Sequence, residues 1–299
     1  MTILGRRAFT LGALTTLAAA AACARGGASA PLHEDVERQL AELERRVGGR
    51  VGVLAVDTGS GARVARRSNE RFAMCSTFKI VLVAALLSRV ERGELSLDER
   101  VPFSAADLVE HAPVTTARVA EGAMSLGDLC DAAVEVSDNA ATNLLLPKVG
   151  GPAGLTSYAR GLGDTVTRFD RNELSLNLNL PGDPRDTSTP EAFLATMAKL
   201  LLGDALRPAS RQRILAAMKR SHTGDRRLRA GLPRDWGFAG KTGTGGRCTV
   251  NHVAVVWPPD RRPILIVSYL SESETSGLEI LEGAQATIGG ALGAAFAQA

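Results

Sequence analysis

Four short motifs follow one another along this chain: Ser76-Thr77-Phe78-Lys79, Ser137-Asp138-Asn139, Glu173 with Asn177, and Lys241-Thr242-Gly243-Thr244. Serine is a weak nucleophile until a base takes its proton. Residues three apart on a helix share a face, so the Lys79 amine can reach the Ser76 hydroxyl, and a helix start adds a positive local field. Ser137 can relay a proton to a leaving nitrogen. Asn139 offers both a donor and an acceptor to an amide. Glu173 is a carboxylate able to activate water. Lys241, Thr242 and Thr244 make a cationic, hydroxyl-bearing edge suited to a carboxylate, and Gly243 lets a ligand approach the backbone closely. The N–H groups of Ser76 and Thr244 are candidates for an oxyanion hole. Together these groups can cleave a strained amide through an acyl-enzyme and then hydrolyse it. Taken singly, each motif reads as well as an ordinary helix start, cap, loop or turn.

Lysine usage points the same way. The chain has five lysines against thirty arginines, and two of the five stand in the motifs. A desolvated lysine can give up its proton, whereas arginine keeps its own.

The elements that must position these residues can be read from apolar periodicity. Apolar residues at 36, 40, 43 and 47 predict an amphipathic helix over 35–47, stopped by Gly48-Gly49. Residues 51–56 and 62–66 read as two strands joined by the turn Asp57-Thr58-Gly59-Ser60-Gly61. The stretch 76–90 is apolar nearly all round, the mark of a buried helix. Further helices are expected over 126–136, 139–147, 190–202 and 208–219, with Ser137 or Asp138 capping the second. Arg171 to Asp186 has the length and composition of an Ω-loop, its opposite charges able to tie the ends together. Strands return over 236–241, 248–257 and 263–270, and a helix closes the chain over 275–298. The fold class is therefore α+β, an α/β sandwich. An antiparallel sheet of about five strands, built from both termini and flanked by helices, receives an inserted all-α domain. The expected boundaries are 31–67 with 220–299 for the α/β domain and 68–219 for the helical domain.

The chain has 299 residues and a net charge of +3. It shows no basic block, so nucleic acid is not an expected partner. Residues 1–30 read as an export signal. Arg6-Arg7 precede about 15 apolar residues, Ala8 to Ala22, fewer than the ~20 a spanning helix needs. The surrounding run is twin-arginine-like, a plain secretory signal being the alternative. Cys23 after Ala20-Ala21-Ala22 suits lipoprotein processing, with cleavage after Ala24 or Ala30 as the rival. The expected location is periplasmic or secreted, with lipidation of Cys23 the sole membrane attachment. Cys75, Cys130 and Cys248 are odd in number and lack metal-site spacing. They are expected to be small buried residues.

In this combination and order the motifs resemble those of the class A serine β-lactamases, over nearly the whole mature chain. The resemblance implies a β-lactam substrate, no cofactor or metal, and a monomer. It makes Ser76 the acylated nucleophile, Lys79 part of its activating network and Ser137 the shuttle to the β-lactam nitrogen. Glu173 and Asn177 would hold the hydrolytic water. Asn139, Gly243 and Thr244 would contact substrate, with Lys241 and Thr242 on its carboxylate. Whether Lys79 or Glu173 starts acylation stays open. Three positions depart from the family pattern. Leu174 stands where proline commonly follows the glutamate in a cis bond. Val250 stands where a strand arginine is common, and Arg227 looks like its substitute. His111 stands where an aromatic residue borders the site. Two rivals share the fold: a penicillin-binding D,D-peptidase, which lacks the Glu173–Asn177 pair, and a binding or sensor protein that acylates and stops.

Overall fold

The computed structural model describes residues 29–274 and 277–298; Arg6, Arg7 and Cys23 of the expected export signal lie outside them. In chain order the strands among the described residues are β1 (Arg50–Asp57), β2 (Arg63–Arg66), β3 (Phe72–Ala73), β4 (Arg100–Pro102), β5 (Ala123–Ser125), β6 (Thr187–Ser188), β7 (Gly237–Gly245), β8 (Thr249–Trp257) and β9 (Ile264–Ser271). One antiparallel sheet runs in the order β2-β1-β9-β8-β7. The first strand thus pairs with the last, Leu54 facing Val267, and the two ends of the chain complete one sheet.

Helices cover both faces of that sheet. A sheet with one wet face alternates apolar and polar residues, whereas one covered on both sides reads as a continuous apolar run. β9 is of the second kind, buried at every position. On one face the helices Ser29–Val47 and Leu278–Ala297 pack Leu40, Leu43, Ile288 and Leu292 against Val53, Ala254 and Ile266. On the other face Leu54, Val253, Val255 and Val267 join the core of the inserted helices. The helix Lys79–Glu91 runs through that core, with every residue from Ile80 to Leu87 buried. Each large aliphatic side chain buried there contributes about 1.5–3 kcal/mol.

The insertion is helical apart from two short ribbons, β3–β6 and β4–β5, whose strands are too short to show a period. β3–β6 bears on the site. It pairs Ala73 with Thr187, and Met74 N donates to Asp186 O at 3.1 Å, so the foot of the Ω-loop is sewn to the segment entering Ser76. Helix Gly151–Gly161 lacks a clear sequence signal because Gly151, Pro152 and Gly154 crowd its first turn. Pro152 is tolerated at the helix start and Leu155 and Ala159 are buried, so packing overrides propensity. The 139–147 helix ends at Leu145 and tightens into a 3₁₀ turn at Leu146–Val149 around Pro147. The 190–202 helix widens into a π turn at Ala198–Leu202.

Candidate active site

Ser76 lies in a 3₁₀ turn, Cys75–Phe78, that runs directly into the buried helix at Lys79. This differs from a single helix over 76–90, and it changes where the side chains go. Among the described residues Lys79 makes no hydrogen bond to Ser76 Oγ, contrary to the expectation from helical spacing. Glu173 joins them: its Oε1 accepts from Ser76 Oγ at 3.3 Å and pairs with Lys79 Nζ at 3.0 Å. The Lys79 ammonium also donates to Ser137 O at 2.9 Å, Ser137 Oγ at 3.3 Å and Asn139 Oδ1 at 2.6 Å. Burial lowers its pKa and the Glu173 carboxylate pulls it back up.

Ser137 has a left-handed backbone, φ 61°, at the joint between the helices Leu126–Glu135 and Asn139–Leu145. Asp138 caps the second helix by accepting from Ala141 N at 2.8 Å. The same carboxylate accepts from Val114 N at 2.9 Å and Thr115 N at 3.0 Å, fixing the segment that carries His111. Asn139 is less free than its chemistry suggests. Its Oδ1 is taken by Lys79, its Nδ2 donates to Glu110 O at 2.9 Å, and its backbone N–H donates to His111 O. His111 is exposed at the cleft rim, with Nε2 donating to Val136 O at 3.0 Å.

The Ω-loop delivers Glu173. Arg171 Nε donates to Asp186 Oδ2 at 2.6 Å, joining the two ends. The Glu173–Leu174 peptide bond is cis. Asn143 clasps the backbone on both sides of the glutamate, accepting from Glu173 N at 3.0 Å and donating to Glu173 O at 2.9 Å. Asn177 Nδ2 donates to Glu173 Oε2 at 2.6 Å, while its Oδ1 is buried without a partner. Asn143 is a site residue that the motifs do not single out. The available signal was its spacing of four from Asn139, which puts both asparagines on one helix face.

β7 extends past Lys241 to Gly245, because its pairing with β8 continues through Lys241–Val253 to Gly245–Thr249. The Lys-Thr-Gly motif therefore lies inside the strand rather than at its end. Gly243 lines the cleft and has a packing reason as well. A Cβ there would fall 2.7 Å from Met74 O and 3.1 Å from Cys75 Cβ, so glycine lets β7 pack on the turn that holds Ser76. Lys241 is fully buried, and its ammonium donates to Ser137 Oγ at 2.9 Å and Thr242 O at 3.0 Å. Burial, then the charge of Lys79, push its pKa well below that of an ordinary lysine. The Thr242 hydroxyl shares a 2.7 Å hydrogen bond with Thr223 Oγ1.

Val250 faces Thr244 across the β7–β8 pair. Arg227 enters that place from the segment before the short helix Leu228–Gly231. Its Nη2 donates to Thr244 Oγ1 at 2.8 Å, and its Nη1 donates to Gly243 O at 3.0 Å and Asn251 O at 2.9 Å. Glu282, on the terminal helix and absent from the motif reading, balances it at 3.3 Å. Of the cysteines, Cys75 and Cys130 are buried and Cys248 is only partly so, because it occupies the exposed β7–β8 turn; all three thiols are free. Burial pushes the Cys130 thiol up to about 12.

Ser76, Ser137, Asn139, Asn177, Thr244 and Arg227 converge on a cleft of about 860 Å³, with Leu174 and Leu278 at its rim. Glu173, Lys79 and Lys241 stand behind its wall, linked through Ser76 and Ser137. The cleft combines a nucleophile on a carboxylate, a hydroxyl between two lysines and a cationic end, which is equipment for acyl transfer to serine followed by hydrolysis.

The profile of the Beta-lactamase enzyme family matches residues 35–295. Beta-lactamase AST-1 of Nocardia asteroides is 45% identical over 268 residues, covering 88% of this chain and 86% of its own. Beta-lactamase CTX-M-8 of Citrobacter amalonaticus is 42% identical, covering 82% and 85%. Among solved structures, an ancestral Gram-negative class A beta-lactamase superposes with a TM-score of 0.85 at 51% identity, covering 87% of this chain and 100% of its own. A beta-lactamase from Xanthomonas campestris superposes with a TM-score of 0.86 at 47% identity, covering 89% and 98%.

Proposed function

The chain belongs to the class A β-lactamases, serine hydrolases that open the β-lactam amide and so confer antibiotic resistance, and from that membership we propose how its own residues share the work. Lys241, Thr242, Thr244 and Arg227 hold the substrate carboxylate at the cationic end of the cleft. Asn139 and the edge at Gly243 line the acyl arm, and His111 borders the mouth. Glu173 takes the proton of Ser76 Oγ as the oxygen attacks the lactam carbonyl. The N–H groups of Ser76 and Thr244 receive the developing oxyanion. The C–N bond breaks as Ser137 gives its proton to the nitrogen; Lys79, 3.3 Å from Ser137 Oγ, replaces that proton and regains one from Glu173 at 3.0 Å, which returns Glu173 to the carboxylate. In the second half Glu173, steadied by Asn177, takes a proton from water. The resulting hydroxide equivalent attacks the ester carbonyl, and Ser76 leaves as Glu173, 3.3 Å away, returns that proton to Oγ.

One observation carries this assignment: Glu173 Oε1 lies 3.3 Å from Ser76 Oγ and 3.0 Å from Lys79 Nζ, while Oε2 is held by Asn177 at 2.6 Å. A carboxylate so placed can serve as base for both halves of the reaction, and its direct contact with the hydroxyl favours Glu173 over Lys79 as the acylation base. The rival peptidase and sensor readings have no use for the Glu173–Asn177 pair. Incubation with a chromogenic cephalosporin distinguishes them. The hydrolase assignment expects many turnovers per enzyme; a single stoichiometric burst defeats it.

The proposal extends to the rest of the molecule. Residues 31–67 with 220–299 form the α/β domain, and 68–219 form the helical domain, with the cleft between them. The protein acts as an exported monomer, released by removal of the signal in residues 1–30 or held by lipid on Cys23. No helix among the described residues is long and apolar enough to cross a membrane.

A further inference from the structure

The first limb of the Ω-loop supplies Glu173 and Asn177. The limb that follows makes contacts that the reaction does not use. Asn177 O accepts from Gly246 N, in the β7–β8 turn, at 2.7 Å. Two residues on, Asn179 Nδ2 donates to Thr249 Oγ1 at 2.8 Å. Thr249 is fully buried and passes its own hydroxyl proton to Gly246 O at 2.7 Å. The three bonds close a ring that runs from Asn177 along the chain to Asn179, across to Thr249, along to Gly246 and back. Both hydrogen-bonding functions of the Thr249 hydroxyl are used inside it.

The ring holds two walls of the cleft together. Asn177 and Leu174 line one side, Thr244 and Gly245 the other. The seam is tight. A Cβ on Gly245 would lie 2.7 Å from Asn177 O, and one on Gly246 would lie 2.6 Å from Leu178 O. Asn179 has a left-handed backbone, φ 47°, a conformation that asparagine tolerates better than most residues. Its amide is thereby aimed at the hairpin. The carboxylate-binding side chains of Lys241, Thr242 and Arg227 lie further along the cleft from the seam than Gly245, so the acyl substituent of the substrate extends toward the seam.

We propose that Asn179, acting through Thr249, is a positioning residue that sets how far the seam between Asn177 and Gly245 opens, and so limits the bulk of the acyl substituent the site accepts. The proposal rests on the assignment of Ser76 as the acylated nucleophile and of the cationic end as the carboxylate site. Loss of the Asn179–Thr249 bond leaves the loop tied to the β7–β8 turn at one point instead of two, with more room for branched substituents and a less steady Asn177.

The test compares kcat/KM for benzylpenicillin and methicillin, which share a nucleus and a carboxylate and differ in the acyl group. Thr249→Val removes the acceptor at nearly constant volume. Asn179→Gly removes the amide and keeps the left-handed backbone free of strain. Each is expected to raise the methicillin-to-benzylpenicillin ratio about three- to tenfold, the scale of one net hydrogen bond. The double variant should gain no more than either single one, since both remove the same bond. Thr249→Ser, which keeps the hydroxyl, should retain the original ratio. The ratio is internal to whatever enzyme is folded, and Asn179→Gly carries the test if Thr249→Val does not fold. An unchanged ratio in Asn179→Gly, or an equal rise in Thr249→Ser, overturns the latch alone. Absence of turnover by the unmutated enzyme overturns the hydrolase assignment and the latch with it.

Discussion

The Lys241 ammonium donates to Ser137 Oγ at 2.9 Å, and among the described residues no carboxylate pairs with it. A fully buried lysine without an anion is an electrostatic cost that a substrate carboxylate can offset. Burial and the charge of Lys79 lower its pKa well below 10.5. Only the protonated form attracts a carboxylate, so binding is full below the depressed pKa and is lost as pH rises through it. The KM of a carboxylate-bearing β-lactam is therefore expected to climb with alkaline pH earlier than an ordinary lysine would allow. Lys241→Arg, which keeps its charge, should flatten the profile. A wild-type KM that stays level up to the ordinary lysine range would remove Lys241 from carboxylate binding.

Glu173 is the second test. Its two oxygens are divided between Ser76 and Lys79 on one side and Asn177 on the other. Glu173→Gln keeps the shape and removes the base. General-base catalysis contributes about 10²- to 10⁴-fold, so kcat should fall by that order. The ester on Ser76 should persist long enough to appear in the intact mass after mixing with penicillin. Steady-state turnover equal to wild type would exclude Glu173 from the reaction.

The motif residues and the partners that hold them differ in how legible they were. Ser76, Ser137, Glu173 and Lys241 stand out because their motifs occur together and in one order, although each alone reads as an ordinary helix start, cap, loop or turn. Their partners do not. Asn143 reaches Glu173 across 30 positions, marked locally only by its spacing of four from Asn139, and Glu282 reaches Arg227 across 55 with nothing local to mark it. The connection between Ser76 and Lys79 was misjudged for a related reason. Helical spacing predicts a direct contact, but the 3₁₀ turn at Cys75–Phe78 and a carboxylate 97 residues away settle the hydrogen bonding. The sheet was legible because strands covered on both faces are long apolar runs. The ribbons β3–β6 and β4–β5 were not, since two or three residues carry no period. Gly243 has a second reason that its motif does not carry: a side chain there would meet Met74 and Cys75.

Arg227 binds Thr244 Oγ1 on one side and Glu282 on the other. In this chain it is the cation that stands beside Val250. Arg227→Ala should raise KM for carboxylate-bearing substrates by about 10- to 100-fold, the scale of a hydrogen bond to a charged group, with a smaller change in kcat. An ester of the same β-lactam, which lacks the negative charge, should lose much less. Equal loss on acid and ester would identify folding damage instead, since Glu282 keeps only its pair with Arg226 at 2.7 Å.

The tie between Arg171 and Asp186 decides whether the Ω-loop is a rigid part of the site. Asp186 is buried, accepting from Arg171 Nε at 2.6 Å, Asp170 N at 2.8 Å and Arg171 N at 3.0 Å. Its own N–H donates to Asp170 Oδ2 at 3.0 Å, so the two strands of the loop's neck are cross-stitched. Removing one partner of a buried ion pair costs about 3–5 kcal/mol, and Arg171 would keep only its longer pair with Asp183 at 3.6 Å. A solvated pair would be worth under ~1 kcal/mol. Asp186→Asn keeps the volume and most acceptor geometry while deleting the charge. It is expected to lower Tm by on the order of 10 °C, given about 2–4 °C per kcal/mol for a chain of this size. Deacylation should slow more than acylation, because Glu173 sits two residues from Arg171 and must hold its water without help from the substrate. Calorimetry and single-turnover mass spectrometry on one preparation read both effects. An unchanged Tm with unchanged deacylation would mean that the pair is held in solvent and that the Asn143 clasp alone positions Glu173.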